Sequence, residues 1–139
     1  MSPDFTRTHF DIEQDERFFR LRSELGVSSF GLNVLALQPG QRGRIHLHQN
    51  QEEVYIVLRG ELTLLIEGEA EILGVHDAIR VAPEVRRQLT NVGSEPCVLI
   101  ALGGEGEHAG RDGEAFTGWA ETEGRAPQEL PLPDDVPHA

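Results

Sequence analysis

Residues 40–60 read GQRGRIHLHQNQEEVYIVLRG and hold His46, His48 and Glu53 between Gly40 and Gly60. Valine, isoleucine, tyrosine and leucine surround Glu53, and this composition predicts strand. Side chains two positions apart point to the same face of a strand, so His46 and His48 converge if their segment is extended. Glu53 opens the next predicted strand, residues 53–58, after a short turn. Two imidazoles and one carboxylate brought together in this way form a ligand set suited to a divalent metal ion.

The spacing of this stretch, Gly40-x5-His46-x-His48-x4-Glu53-x6-Gly60, resembles the first motif of the cupin superfamily position for position. The resemblance implies an all-β fold, a small antiparallel β-barrel of jelly-roll type. In metal-binding cupins the two histidines and the glutamate of this motif are ligands. The resemblance therefore implies a divalent metal, Fe, Mn, Ni or Zn, on these three residues. The alternative is a metal-free barrel in which they hydrogen-bond one another or water.

The second cupin motif is degenerate in this chain. The family pattern is Gly-x5-Pro-x-Gly-x2-His-x3-Asn, and the matching run is HDAIRVAPEVRRQLTN, residues 76–91. Asn91 fits the pattern, Pro83 lies one place late, and Arg87 stands where the third histidine ligand is expected. The order of strand, turn and strand in this run supports the predicted barrel. Arg87 in place of the histidine weakens the prediction of a bound metal.

Arg87 determines the charge of the predicted site. A cation about 5 Å from a divalent ion costs about 7 kcal/mol at an effective dielectric constant of about 20. Two arrangements avoid this repulsion: Arg87 pairs with Glu53 in a metal-free pocket, or an anionic substrate lies between Arg87 and a metal. A third possibility is that the guanidinium turns outward to solvent.

Two further residues share the parity of the predicted ligands. Arg44 is two positions before His46 and four before His48, so it shares their face of the strand. Tyr55 is two positions after Glu53 and shares its face in the same way. With Arg87 they are the predicted substrate-binding residues, suited to a small anionic molecule. Their competing interpretations are a surface arginine on the barrel rim and an ordinary core tyrosine.

The rest of the chain divides into three parts by composition. Residues 1–16 are polar and predict an N-terminal arm, residues 17–103 hold the β-barrel, and residues 104–139 form an acidic tail. Within the barrel we expect a strand over RFFRLR, a turn over Ser23–Val27, and a hairpin of Val57–Gly60 with Glu61–Leu65. The remaining predicted strands are Phe30–Leu37, Glu61–Glu67, Ala70–Leu73, Ala78–Val81, Arg87–Val92 and Cys97–Leu102.

The tail is expected to be solvated and partly disordered after Gly103-Gly104. It holds nine acidic residues against two arginines, and four of the eight prolines. Phe116 and Trp119 are costly to expose, so they are predicted to anchor the tail onto the barrel or onto a second subunit.

Charge and cysteine content limit the partners and the compartment. The 139-residue chain has a net charge of −12 and no lysine, which argues against nucleic acid or an anionic membrane as a partner. Cys97 is the only cysteine, so no internal disulfide forms, and it reads as a small buried core residue. No signal-peptide core or long apolar run is present, and we expect a cytoplasmic protein. An edge strand of a barrel needs covering, which together with the resemblance predicts a homodimer.

Three classes of function are compatible with the sequence. The first is a metal-dependent enzyme, such as a dioxygenase or isomerase, acting on a small anionic organic substrate. The second is a metal-free cupin that binds a small anion through Arg87. The third is a non-catalytic dimeric module with a structural or regulatory role. Because the fold hosts many unrelated chemistries, the resemblance alone does not decide between enzyme and binding protein.

Overall fold

The computed structural model describes residues 3–104 and 112–136, which form two five-stranded antiparallel sheets. The first sheet has the order β1-β2-β9-β4-β7 and the second the order β10-β3-β8-β5-β6. The strands are β1 (Phe18–Phe19), β2 (Gly31–Leu37), β3 (Ile45–His48), β4 (Glu52–Arg59), β5 (Leu62–Ile66), β6 (Glu69–Leu73), β7 (Ala78–Val81), β8 (Arg87–Thr90), β9 (Cys97–Gly104) and β10 (Gly113–Phe116). This architecture confirms the predicted all-β jelly-roll barrel.

The main core lies between the two sheets. Alternate residues of the central strands point into it, among them Tyr55 and Val57 on β4 and Leu99 on β9. Cys97 is fully buried in the same cluster, and burial raises the pKa of its thiol to about 12. The thiol therefore stays protonated at neutral pH and acts as a small apolar side chain, as predicted.

The outer face of the first sheet carries a second, smaller core. Val34 on β2 and Val98 on β9 are completely buried there. They are covered by a short helix, α1 (Leu21–Leu25), and by Phe10 and Phe19, whose ring centroids are 6.4 Å apart. The strand predicted over RFFRLR is thus wrong beyond β1, and the turn predicted over Ser23–Val27 is largely helix. Leu21 and Leu25 bury their apolar faces on the sheet better as a helical turn than as an edge strand.

The predicted hairpin around Gly60 is also wrong. β4 pairs with β7 and β9 in the first sheet, whereas β5 pairs with β6 and β8 in the second. Gly60 has a φ of 75°, and a Cβ there would overlap the carbonyl oxygen of Pro96. The chain therefore crosses from one sheet to the other at Gly60, which explains the glycine without a hairpin.

The segment after Gly103-Gly104 contributes a strand to the barrel, contrary to the expected solvated tail. β10 pairs with β3 in a register that joins Ala115 to His46. Phe116 on β10 is 5% exposed, and the Arg86 guanidinium lies 4.0 Å from its ring centroid. Phe116 thus anchors the segment onto the barrel, because burying its ring is favourable. A 3-10 helix, Pro127–Glu129, follows.

Three other expectations concern the N-terminal segment, membrane-spanning helices and the cellular location. Residues 3–16 contain no strand or helix, and Phe10 packs against the barrel. The N-terminal arm remains a prediction. Within the described ranges, no helix has the length and apolar character needed to cross a membrane. The cytoplasmic location remains a prediction.

Candidate metal centre

Three predicted ligands meet inside the barrel, from two different sheets. His46 and His48 lie on β3 of the second sheet, and Glu53 lies on β4 of the first. The Nε2 atom of His46 is 3.6 Å from Oε1 of Glu53, and Nε2 of His48 is 3.4 Å from Oε2. One donor atom from each residue lies within 4.8 Å of the others, so one ion could contact all three. The donor set of two imidazoles and one carboxylate fits a transition metal or zinc.

The carboxylate of Glu53 is in the ionised form that a metal ligand needs. Burial by itself would raise the pKa of Glu53, but the adjacent imidazoles of His46 and His48 outweigh it and hold the pKa well below 4.5. Burial, followed by the charge of Glu53, raises the pKa of Tyr55 well above 10. The Tyr55 hydroxyl donates a hydrogen bond to Oε1 of Glu53. Glu53 is therefore ionised at neutral pH beside a neutral phenol.

Arg87 points into the barrel and not to solvent. β8 pairs with β3 so that Arg87 lies opposite His46. The arginine is completely buried, and its Nη1 donates to the carbonyl oxygens of Pro83 and Val85 at 3.1 and 2.7 Å. Its Nε lies 3.5 Å from Oε1 of Glu53, near enough for an ion pair but without hydrogen-bond geometry. The structure therefore has the predicted pairing of Arg87 with Glu53.

A cavity of about 430 Å³ opens beside these residues. Its size is in the usual range for small-molecule sites. His46, His48 and Glu53 line it, as do the predicted substrate-binding residues Arg44 and Tyr55. Arg87 is not among the described residues that line it. Apolar walls come from Phe18, Leu35, Leu37, Leu89, Ala101 and Leu132.

The match to known families covers half of the chain. Residues 33–103 match the model of the Cupin domain family Cupin_2. They span β2 to β9 and so include the three candidate ligands and Arg87. The chain belongs to this cupin family.

The known proteins that resemble this cupin have names that describe different functions. A polyketide synthase, CurC, of Streptomyces cyaneus is 26% identical over 76 residues, which are 55% of this chain and 49% of that protein. The chain thus spans about half the length of this curated relative. Two solved structures share the fold with a TM-score of 0.64. One is a sugar phosphate isomerase from a cupin superfamily, from Silicibacter pomeroyi, 23% identical over 73% of this chain and 65% of that one. The other is a cupin protein from Bacteroides fragilis, 22% identical over 75% and 86%.

Sequence reasoning missed Asp112, which positions the turn between the ligand strands of this cupin. Its carboxylate accepts hydrogen bonds from the backbone N–H groups of Asn50 and Gln51, the latter at 2.8 Å. Oδ2 also lies 3.7 Å from Nδ1 of His48. Burial acts to raise the pKa of Asp112, but these amide hydrogen bonds lower it overall. The only sequence signal was an aspartate beside the Gly113 that begins β10.

Sequence reasoning also missed how the C-terminal segment encloses the cavity. Ala126, Pro127 and Gln128 line the cavity. Arg44 holds this segment, because its Nε donates to the carbonyl oxygen of Leu130 at 2.8 Å. Arg17, which precedes β1, also lines the cavity and was not predicted to do so. Neither contact was readable from local sequence, since each joins residues far apart in the chain.

Proposed function

We propose that this cupin is a metal-dependent enzyme acting on a small anionic organic substrate, with a divalent ion held by His46, His48 and Glu53. The observation that carries the proposal is the convergence of these three donor atoms within 4.8 Å on the wall of a cavity of small-molecule size. Metal sites of this kind keep open positions for a substrate. This donor set suits Fe, Mn, Ni and Zn alike.

The surrounding residues support such a site in separate ways. The backbone carbonyl of Arg44 lies 3.1 Å from Nδ1 of His46, which leaves Nε2 as the free donor atom when Nδ1 carries the proton. Tyr55 donates to Glu53 and so fixes the carboxylate. A bound divalent ion would supply a Lewis acid for a substrate oxygen. The apolar walls exclude water from the body of a bound molecule.

Among the reaction classes compatible with this site, we favour isomerisation over dioxygenation. The similarity to the Silicibacter pomeroyi sugar phosphate isomerase supports this choice, although 23% identity establishes a shared fold only. Isomerisation needs a polarised oxygen and a proton-transferring group near it. Tyr55, on the cavity wall beside the candidate ligand Glu53, is the candidate group for the proton transfer.

We infer a second candidate function, a metal-free cupin that binds an anion, because Arg87 pairs with Glu53, although Arg87 does not itself line the cavity. Its buried guanidinium already pairs with Glu53, and Tyr55 also donates to that carboxylate. These contacts compete with a metal for the same oxygen atoms and reduce the net negative charge that a cation would meet.

Elemental analysis distinguishes the two functions. The full chain is expressed without a polyhistidine tag, purified without added metal or chelator, and analysed by mass spectrometry of its metals. We expect close to one equivalent of a single transition metal in the wild type and none in the His46→Ala/His48→Ala double variant. The control is His9→Ala/His76→Asn, which changes two exposed histidines and keeps a residue suited to the positive φ at position 76.

The outcome decides between a metal enzyme and a binding protein. Equal, negligible metal in all three proteins, persisting after incubation with each candidate ion, would reject the metal-dependent function in favour of the anion-binding one. Metal retained by the His46→Ala/His48→Ala variant would place the ion elsewhere.

A further inference from the structure

Arg17 brings a second guanidinium to the cavity. It directly precedes β1, and its backbone oxygen accepts a hydrogen bond from the N–H of Ala36 on β2, which ties it to the first sheet. Its half-buried side chain lines the cavity together with Arg44. Nη2 donates to the carbonyl oxygen of Arg42, whereas Nε is buried and has no hydrogen-bond partner.

Neither of the two cations forms an ion pair with a carboxylate of the described chain. Within residues 3–104 and 112–136, no acidic group forms an ion pair with Arg17 or Arg44. Burial lowers the pKa of Arg17, Asp135 partly offsets this effect, and Arg44 adds to the lowering. A buried donor without a partner beside a like charge is unfavourable, and a bound anion would relieve both costs.

Arg87 does not offer the same group to a ligand. It is completely buried and is not among the described residues that line the cavity. Its Nη1 donates to two backbone carbonyls, its Nε faces Glu53, and its Nη2 is buried without a hydrogen-bond partner. Arg17 and Arg44 are the arginines that reach the cavity in the described structure. Guanidinium groups are well suited to carboxylate and phosphate, because their N–H donors form a planar fork.

We propose that Arg17 and Arg44 together bind the anionic group, a carboxylate or a phosphate, of the molecule that occupies this cavity. The ligand class is an organic anion with an apolar body, since Leu35, Leu37 and Leu89 line the same space. The proposal rests on the proposed function only in taking this cavity as the ligand site. It adds Arg17, a residue outside the metal-ligand cluster, as the determinant of specificity for anions.

Calorimetric titration with two simple anions tests this site. The full chain is dialysed against a chelator and then into phosphate-free buffer, so that a metal cannot bind the anion. Inorganic phosphate and malonate are titrated separately into wild type and Arg17→Met, which keeps an unbranched apolar stem. We expect saturable binding of at least one anion to the wild type and a loss of tenfold or more in Arg17→Met. Which anion binds distinguishes phosphate from carboxylate ligands.

The matched control is Arg20→Met, which removes an equal charge from an exposed arginine three positions away. It should bind the anion as tightly as wild type. Arg17→Lys keeps the charge but not the fork, and we expect intermediate affinity. Near-ultraviolet circular dichroism checks that each variant is folded, and if Arg17→Met is not, the comparison of Arg17→Lys with Arg20→Met decides.

Two results would overturn the proposal: no saturable binding of either anion to the wild type, or equal binding to wild type and the Arg17 variants. The titration uses protein that has been freed of metal with a chelator, so a failure of the metal proposal leaves the arginine test intact.

Discussion

Arg87 shows how one residue changes the chemistry of an otherwise complete ligand set. It stands where the resemblance to cupins implies a third histidine, and it is the largest completely buried side chain of the described structure. Two carbonyl oxygens and the ion pair with Glu53 make its burial tolerable. The same contacts place a positive charge beside the candidate metal position.

Replacing Arg87 with histidine should strengthen metal binding. Arg87→His removes the repulsive charge and adds a third imidazole, so we expect affinity for Zn²⁺ or Mn²⁺ to rise at least tenfold. Competition against a fluorescent chelator measures the change. Arg87→Met, which removes the charge without adding a ligand, should fall between wild type and Arg87→His. Unchanged affinity in both folded variants would show that Arg87 does not control the metal site.

Two glycines with the same backbone conformation should differ in their tolerance of a side chain. Gly26 and Gly60 have φ values of 73° and 75°, so alanine costs about 1–2 kcal/mol at either from the left-handed conformation. At Gly60 a Cβ would also overlap the backbone of Pro96, whereas no atom lies within 4 Å of one at Gly26. We expect Gly60→Ala to lose several kcal/mol more than Gly26→Ala. Urea unfolding compares them, and equal losses would contradict the crossing at Gly60.

Asp112 and the strand β10 that follows it connect two elements of the site. β10 pairs with the ligand strand β3, and Asp112 holds the turn that leads from β3 to β4. The relative position of His48 and Glu53 therefore depends on a part of the chain about 60 residues away. This contact supports the ligands from outside the cluster.

Substituting Asp112 should produce a pH-dependent loss of stability. The pKa of Asp112 is lowered in the fold, so its ionised form stabilises the protein above the usual aspartate pKa and loses this effect as pH falls through the folded pKa. We expect Asp112→Asn to cost about 2 kcal/mol near pH 7 and progressively less as the pH falls below the usual pKa of aspartate.

Urea unfolding of wild type and Asp112→Asn across this pH range measures the difference. Asp15→Asn, at an exposed position, is the control and should match wild type throughout. A cost of Asp112→Asn that did not shrink on acidification would mean that the ionised carboxylate is not the stabilising form.

At the scale of the whole molecule, the C-terminal part completes the barrel and encloses its cavity. β10 forms one edge of the second sheet, and Ala126, Pro127 and Gln128 line the cavity. Backbone hydrogen bonds extend this cover, since the N–H of Val136 donates to the carbonyl oxygen of Gly40 at 2.8 Å. A boundary after Gly103-Gly104 would cut through the second sheet.

Truncation tests where the folded unit ends. A chain ending at Gly104 loses β10 and the buried ring of Phe116, whose removal alone costs about 3 kcal/mol or more. Since domains are stable by about 5–15 kcal/mol, we expect this chain to lose cooperative thermal unfolding or to aggregate. A chain ending at Ala126 keeps β10 and should unfold cooperatively. If the chain ending at Gly104 folds, the result would support the predicted barrel boundary at residue 103.

The homodimer remains a prediction. Sedimentation equilibrium of the 15.4 kDa chain should give about twice that mass. A monomer at all concentrations would exclude it. Because β10 already covers one edge of β3, a partner would have to cover a different surface, and the tail is not needed to protect that strand.

The sequence by itself determined strands β2 to β9 and the candidate ligand triad, because both depend on local order. Alternating apolar residues marked β2 to β9 within a few positions, and the spacing of His46, His48 and Glu53 placed them on consecutive strands. Only the tertiary structure decided which sheet each strand joins, and therefore that Gly60 is a crossing and that Gly113–Phe116 belongs to the barrel. It also decided that Arg87 is buried and that Arg17 and Asp112 approach the site. Strand pairing and burial join residues distant in sequence, and no local pattern records those contacts.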